Sequence, residues 1–287
     1  MRWSDFSKLI KLRLTFLVVF SASISFLIGS KVNGDINWFN WGKLIVGGFL
    51  VTAAANCFNE IIEKDLDKLM KRTMDRPIPS GHMTTGQALV LGLFMGMAGT
   101  YLLGSLNIDT GLLSVFSIVL YAFVYTPLKR KSPIAVFVGA IPGALPPLIG
   151  YVAAHEKIDA IALILFGIQF VWQFPHFWAI AWVLDDDYKL AGFRLLPSGK
   201  RNLTSAIVTF IFTLLLVPVS LLPTWYHFGG YYVGAVSLVF SLAFLYLAYK
   251  LLSTLEIGSA KKLMYGSFLY LPVVQLMFLF DFIGKVK

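Results

Sequence analysis

Residues 44–67 run Leu44-Ile-Val-Gly-Gly-Phe-Leu-Val-Thr-Ala-Ala-Ala-Asn-Cys-Phe-Asn59 and then Glu60-Ile-Ile-Glu63-Lys64-Asp65-Leu-Asp67. No charged side chain occurs from Leu44 to Asn59, and five follow in the next eight positions. A run this apolar predicts a helix that enters a hydrocarbon core, which takes roughly 20 residues to cross about 30 Å. Its acidic end belongs at a membrane surface. Seven further stretches are equally free of charge: Leu14–Ser30, Met83–Ile108, Thr110–Leu128, Ser132–His155, Ala160–Leu184, Asn202–Tyr249 and Leu263–Phe280. The stretch from Asn202 is too long for one span and breaks at Pro218, Pro223 and Gly229-Gly230, so it counts as two. The expectation is an all-α polytopic membrane protein with nine transmembrane helices.

Composition agrees. Of the 287 residues, 57% are hydrophobic and 14% charged, with a mean hydropathy of +0.76. Soluble domains carry about 25% charged residues, so an ordinary soluble enzyme and a disordered chain are both excluded. Arg2, Lys8, Lys11 and Arg13 before a short apolar run resemble a secretory signal, but eight spans follow, and the run reads as the first helix. The single cysteine, Cys57, has no partner for an internal disulfide.

Of the 24 Lys+Arg, 19 lie in the N-terminal tail and the loops after helices 2, 4, 6 and 8. The opposite side receives Lys31, Lys43, Lys157, Lys285 and Lys287. This bias predicts a cytoplasmic N-terminus. The net charge of +9 is then a topology signal, and no nucleic acid partner is needed to explain it.

The acids are fewer and more telling. Asn59, Glu63 and Asp67 stand at i, i+4 and i+8, on one face of a helix, with Glu60 and Asn56 bordering it. Like-charged carboxylates so placed repel, and a hard cation removes the repulsion; Mg²⁺ takes one or two carboxylates and fills its shell with water and phosphate oxygens. Lys71, Arg72 and Arg76 follow within nine residues. They suit a diphosphate, Arg as a planar fork and Lys as a point charge. Four helices later Asp185-Asp186-Asp187-Tyr188 again ends a predicted span, followed by Arg194. Two such motifs on one membrane face predict two four-helix halves plus one helix, with the site between them.

The pattern Asn59-Glu60-x-x-Glu63-x-x-x-Asp67 resembles the first aspartate-rich motif of the UbiA-type intramembrane prenyltransferases, with glutamate at two positions where many members have aspartate. Within that family the chain is similar to the protohaem IX farnesyltransferases, or haem O synthases. The likeness rests on Arg72-Thr-x-x-Arg76-Pro77, Tyr125-Thr-Pro-Leu-Lys129-Arg130, Gly143-Ala-x-Pro146-Pro-Leu-Ile-Gly150, and Trp172-Gln-Phe-Pro175-His176-Phe-Trp178 running into Asp186-Asp187-Tyr188-x-x-Ala191-Gly192. With the nine-helix layout it covers nearly the whole chain as one domain, 1–287.

The resemblance implies a multi-pass cell-membrane enzyme, its site facing the cytoplasm, that transfers a farnesyl group from farnesyl diphosphate to a vinyl group of haem B. Water is added and haem O is formed for haem–copper oxidases. It implies Mg²⁺ held by Asn59, Glu63, Asp67, Asp186 and Asp187, with Asp187 favoured over Asp186 and Asp185 last. Asn59, Glu63, Asp67 and Asp187 then carry the chemistry, and Arg72, Arg76, Lys129 and Arg130 hold phosphate oxygens. The implied partners are farnesyl diphosphate, haem B, the lipid bilayer and, among proteins, haem A synthase or oxidase assembly proteins. Phe58, Tyr125, Trp172 and Phe174 offer aromatic faces to an allylic cation. For His176 two readings stay open, a packed histidine bonded to a carbonyl, or an axial ligand or propionate donor for haem. His82, His155 and His227 fall at membrane edges without ligand spacing.

Two other functions share some of these features. A UbiA-type enzyme for an aromatic acid or quinone precursor needs both acid motifs but not Pro175-His176-Phe177. A cation transporter places its acids at mid-membrane, and the arginines beside these acids argue against it.

Overall fold

The computed structural model describes residues 2–282. Lys285 and Lys287, assigned above to the far side, lie outside the described residues. The chain forms α1 (Trp3–Leu9), α2 (Leu12–Asn33), α3 (Trp38–Asp67), α4 (Thr85–Gly104), α5 (Ile108–Leu128), α6 (Ala135–His155), α7 (Ala160–Val183), α8 (Asp185–Leu190), α9 (Leu203–Trp225), α10 (Tyr231–Thr254) and α11 (Ile257–Phe280). Among the described residues, nine helices are long and apolar enough to cross a membrane.

Polar residues mark where these helices begin. Asn37, Asn107, Asp159 and Asn202 accept from backbone N–H groups three residues on, and Thr84 with Gln87 forms a reciprocal capping box. Such caps satisfy donors that the first turn leaves unpaired. Proline sits inside α6, α7, α9 and α11, as membrane helices tolerate when neighbours satisfy the freed carbonyls. The last span starts earlier than charge alone predicts, at Ile257, because Lys261 and Lys262 lie exposed on its first turns.

Two features of the fold position the site. The helix α3 has 30 residues and is therefore about 45 Å long, well beyond the hydrocarbon core, so its last two turns carry the acids clear of the lipid tails. In α5 the turn Leu120–Tyr125 is π-helical. Pro127 lacks an N–H and crowds the carbonyl four residues back, and the widened turn relieves it. Such turns recur at functional sites.

Helices α7, α9, α10 and α11 pack in a closed ring, and α2, α3, α5 and α6 form another with α4 on its outside. The rings join where α6 packs on α7 and α11 on α2, and α2 packs closely on α6 within its own ring. Glycines permit the closest approach, since a Cβ on Gly150 would fall on the Ala22 carbonyl and one on Gly29 would meet the Tyr151 carbonyl at 2.8 Å. Small residues are the usual means by which membrane helices come together. Gly150→Ala is therefore expected to lower stability in detergent by at least about 1–3 kcal/mol, the cost of overpacking. Gly167→Ala, where an added methyl meets nothing within 4 Å, is expected to leave the thermal midpoint unchanged or slightly raised.

Candidate active site

The end of α3 turns one face inward, and Asn59, Glu63, Asp67 and Glu60 are all buried, none more than 3% exposed. Buried charge must be paired, and here Asn59, Glu63 and Asp67 each meet a cation from a different part of the chain. Asn59 Oδ1 accepts from Lys11 Nζ at 2.7 Å, Glu63 Oε1 lies 2.5 Å from Lys129 Nζ, and Asp67 Oδ2 lies 2.6 Å from Arg76 Nη1. Lys11 gets there because it holds a left-handed backbone, φ 48°, at the break between α1 and α2. Lys129 follows the π-helical turn and Pro127, and Arg76 comes from the loop that folds back beneath α3.

Further bonds fix the cluster. Asn59 Nδ2 donates to Glu63 Oε2 and to Thr126 Oγ1, each at 3.0 Å, and Thr126 Oγ1 donates to the Tyr121 carbonyl at 2.8 Å. Glu60 Oε1 accepts from the Ile78 N–H at 3.1 Å, and the Asp67 carbonyl accepts from Thr73 Oγ1 at 2.9 Å, so the loop is tied to the acids at two points. Among the described residues, two buried carboxylate oxygens, Asp67 Oδ1 and Glu60 Oε2, have neither a hydrogen-bond nor an ion-pair partner. Such atoms are costly unless something else binds them.

The cations are crowded. Burial and then the charges of Arg76 and Lys129 push the Lys11 ammonium down to about 7. Burial also lowers Lys129, against the pull of Glu63. Lys129 further lies over the rings of Tyr125, at 5.0 Å, and Phe193, at 5.2 Å. Lys11, Arg76 and Lys129 are thus gathered on one buried acid face.

The second motif splits three ways, because consecutive residues at the start of α8 point in different directions. Asp187 reaches the first motif's loop, accepting from the N–H groups of Lys71 at 3.2 Å and Arg72 at 3.5 Å. Asp186 is turned outward onto Arg201, whose Nη1 lies 3.0 Å from its Oδ2. Asp185 is buried against Lys189 at 2.7 Å. Arg72 also donates to Tyr188 Oη at 3.1 Å and lies over that ring. Arg130 is exposed and stands beside Gly192. The structure thus brings Asn59, Glu63, Asp67, Arg76 and Lys129 together, with Arg72 and Asp187 at the seam between the halves. It leaves Asp186 and Arg130 outside that group. Among the described residues, no three acidic, histidine or cysteine side chains converge as a self-sufficient metal site; two carboxylates and an amide leave the rest of a Mg²⁺ shell to phosphate and water.

Sequence reasoning missed Lys11, Thr126, Tyr121 and Tyr188. In the sequence Lys11 reads as a topology signal, although a lysine at the very start of a span is also placed to reach an acid at the end of the next one. Of the four aromatic residues singled out, Tyr125 borders the cluster and Trp172 stacks on His176, with centroids 4.4 Å apart. Phe58 instead packs against Gly92 and Phe123, a direction that follows from its place 100° around α3 from Asn59. Phe174 packs with Phe137, Phe170 and Phe212. His176 meets Ser267 of α11. His82 lies by Asp5, His155 by Asn33, and His227 in a turn with φ 59°.

A nine-helix membrane bundle with acids and cations gathered at one end of two halves defines an intramembrane prenyltransferase architecture. The chain belongs to the UbiA prenyltransferase family, whose model matches residues 18–272. It is 43% identical over 282 residues to the Protoheme IX farnesyltransferase of Cytophaga hutchinsonii, covering 98% of each chain. Among solved structures it is similar to a digeranylgeranylglyceryl phosphate synthase, with a TM-score of 0.82 and 20% identity over 97% of each chain. It is also similar to a UbiA homologue from Archaeoglobus fulgidus bound to GPP and Mg²⁺, with a TM-score of 0.61 and 12% identity, covering 96% of this chain and 99% of that one.

The ion pairs carry a stability consequence. Arg76→Ala strands a fully buried carboxylate and is expected to destabilise the ligand-free protein by about 3–5 kcal/mol. Asp186→Ala removes only an exposed pair, its side chain 78% accessible, and should change stability by less than about 1 kcal/mol. Thermal unfolding in detergent distinguishes the two.

Proposed function

We propose that this protein transfers a farnesyl group from farnesyl diphosphate to a vinyl group of haem B, with addition of water, giving haem O and diphosphate. The observation that carries the diphosphate half is the buried row of oxygen ligands on α3, each held by a cation. The acceptor follows from the relatives, which are named for protohaem IX, and from the Trp172–Trp178 segment.

The donor set fits Mg²⁺. Asn59, Glu63 and Asp67, with Asp187 from the other half, would hold it, and the orphaned Asp67 Oδ1 is an oxygen waiting for such a partner. When bound, the metal supplies positive charge to the departing diphosphate. Arg76, Lys129 and Arg72 bind phosphate oxygens through charge-assisted bonds, and Arg130, outside the cluster, is left without that role. When a diphosphate enters, Arg76 and Lys129 exchange a carboxylate for a phosphate, which frees the acid oxygens. Preorganised cations aimed at the leaving group cost no rearrangement as its charge develops. Tyr125 beside the cluster lends a ring face to the allylic cation, worth about 0.5–2 kcal/mol. The apolar bundle keeps that cation from water until the acceptor meets it. His176 holds the haem.

The distribution of basic residues supports a site open to the cytoplasm of the cell membrane, with the N-terminus on that side. Haem A synthase or oxidase assembly proteins then receive the product, which serves haem–copper terminal oxidases.

The purified protein, given haem B, farnesyl diphosphate and Mg²⁺, should yield farnesylated, hydrated haem by mass spectrometry. A prenylated phenolic acceptor with haem untouched would instead indicate the quinone-forming branch. Asp67→Ala and Glu63→Gln should lower turnover by at least about a hundredfold, as loss of transition-state charge stabilisation does. Lys129→Ala should chiefly raise KM for farnesyl diphosphate, since its phosphate bond already exists in the ground state.

A further inference from the structure

Ser267 is a fully buried hydroxyl in the middle of α11. Its Oγ donates to the Met264 carbonyl at 2.5 Å. A carbonyl can only accept, and a serine hydroxyl has a single proton, so that proton is committed. His176 Nδ1 of α7 lies 2.7 Å from the same oxygen, and the histidine must therefore be the donor there. A neutral imidazole carries one N–H. With it at Nδ1, Nε2 is left with a lone pair, and among the described residues Nε2 makes no hydrogen bond.

The ring is also held in orientation. Trp172, one turn earlier on α7, stacks on it at 4.4 Å and 17°, and Trp172 Nε1 donates to the Ser267 carbonyl at 3.1 Å. Phe268 meets it edge-on at 5.2 Å. Residue 267 thus fixes the imidazole directly through its hydroxyl and indirectly through the indole. An imidazolium in this place would need an anion beside it, and these rings and one hydroxyl provide none.

We infer that Ser267 is a positioning residue that fixes His176 in the Nδ1–H tautomer, so that Nε2 is presented as an axial ligand to the haem iron and not as a donor to a haem propionate. The inference rests on the haem reading above and decides between its two forms. A propionate carboxylate accepts hydrogen bonds, and a nitrogen with a lone pair cannot donate one. A metal-bound histidine, by contrast, usually donates its other N–H to a fixed oxygen, which sets the tautomer and strengthens the ligand. Here that oxygen comes from a different helix, the last span of the bundle, so haem binding depends on how α11 seats against α7.

The test uses the full chain in detergent or nanodiscs, titrated with haem B and followed by absorption and by the iron–histidine stretch in resonance Raman of the ferrous form. The wild type should show histidine ligation. His176→Ala should lose it and regain it with added imidazole. Ser267→Ala should weaken haem binding on the order of ten- to a hundredfold, as loss of such outer partners does, while farnesyl diphosphate binding stays unchanged. Ser267→Thr, which keeps the hydroxyl, should restore affinity. Should the alanine variant misfold, Ser267→Cys keeps the volume with a poor acceptor and carries the same expectation. Unchanged haem affinity and ligation in folded Ser267→Ala or Ser267→Cys overturns the positioning role. Haem prenylation by a wild type with no histidine signature overturns the ligation and leaves the proposed reaction standing. A wild type that neither binds nor prenylates haem overturns both.

Discussion

Charge cannot stay unpaired at the edge of a membrane, and the acid face of α3 is where this chain meets that constraint. Asn59, Glu63 and Asp67 are sealed from solvent, so each must find a partner of opposite character, and the partners come from three distant places. Lys11 arrives through a left-handed kink before the first span, Arg76 through a loop tied down by Glu60 and Thr73, and Lys129 through a π-helical turn forced by Pro127. The local irregularities of the fold are therefore where the site is assembled, while the long regular helices act as its frame.

The two halves contribute unequally. The first supplies the acid row and the cations that face it. The second supplies Asp187, which reaches across the seam to the backbone of Lys71 and Arg72, and Tyr188, which cradles Arg72. The seam is closed by backbone and side-chain bonds of modest length, 3.1–3.5 Å, not by a buried ion pair. On the other side of the same half, His176 and Ser267 join α7 to α11. The second half thus carries the acidic motif at one end of α7 and the His176–Ser267 contact in the helix interior.

Much of this was legible in the sequence, and what was not has a physical reason. The spans could be read because a membrane helix must lack charge for most of its length. The acid row could be read because three oxygen residues four apart share a face in any helix. The direction of each residue in Asp185-Asp186-Asp187 could not, since a break in the helix at Leu184 resets the helical phase just before them. Lys11 was hidden because its partner lies 48 positions away and its approach depends on one left-handed residue. Ser267 was hidden more deeply, since an isolated serine in an apolar helix gives no signal until the facing histidine is seen.

On the proposed function, cations and acids hold one another until a diphosphate separates them. Metal binding and diphosphate binding should then be coupled, each raising the other's affinity by the same factor. Calorimetric titration of Mg²⁺ into the purified protein, with and without saturating inorganic diphosphate, measures that factor directly once binding of Mg²⁺ to free diphosphate is subtracted. Mg²⁺ should bind at least about tenfold more tightly with diphosphate present, a coupling of roughly 1.4 kcal/mol or more. Equal Mg²⁺ affinity in the two titrations would contradict it.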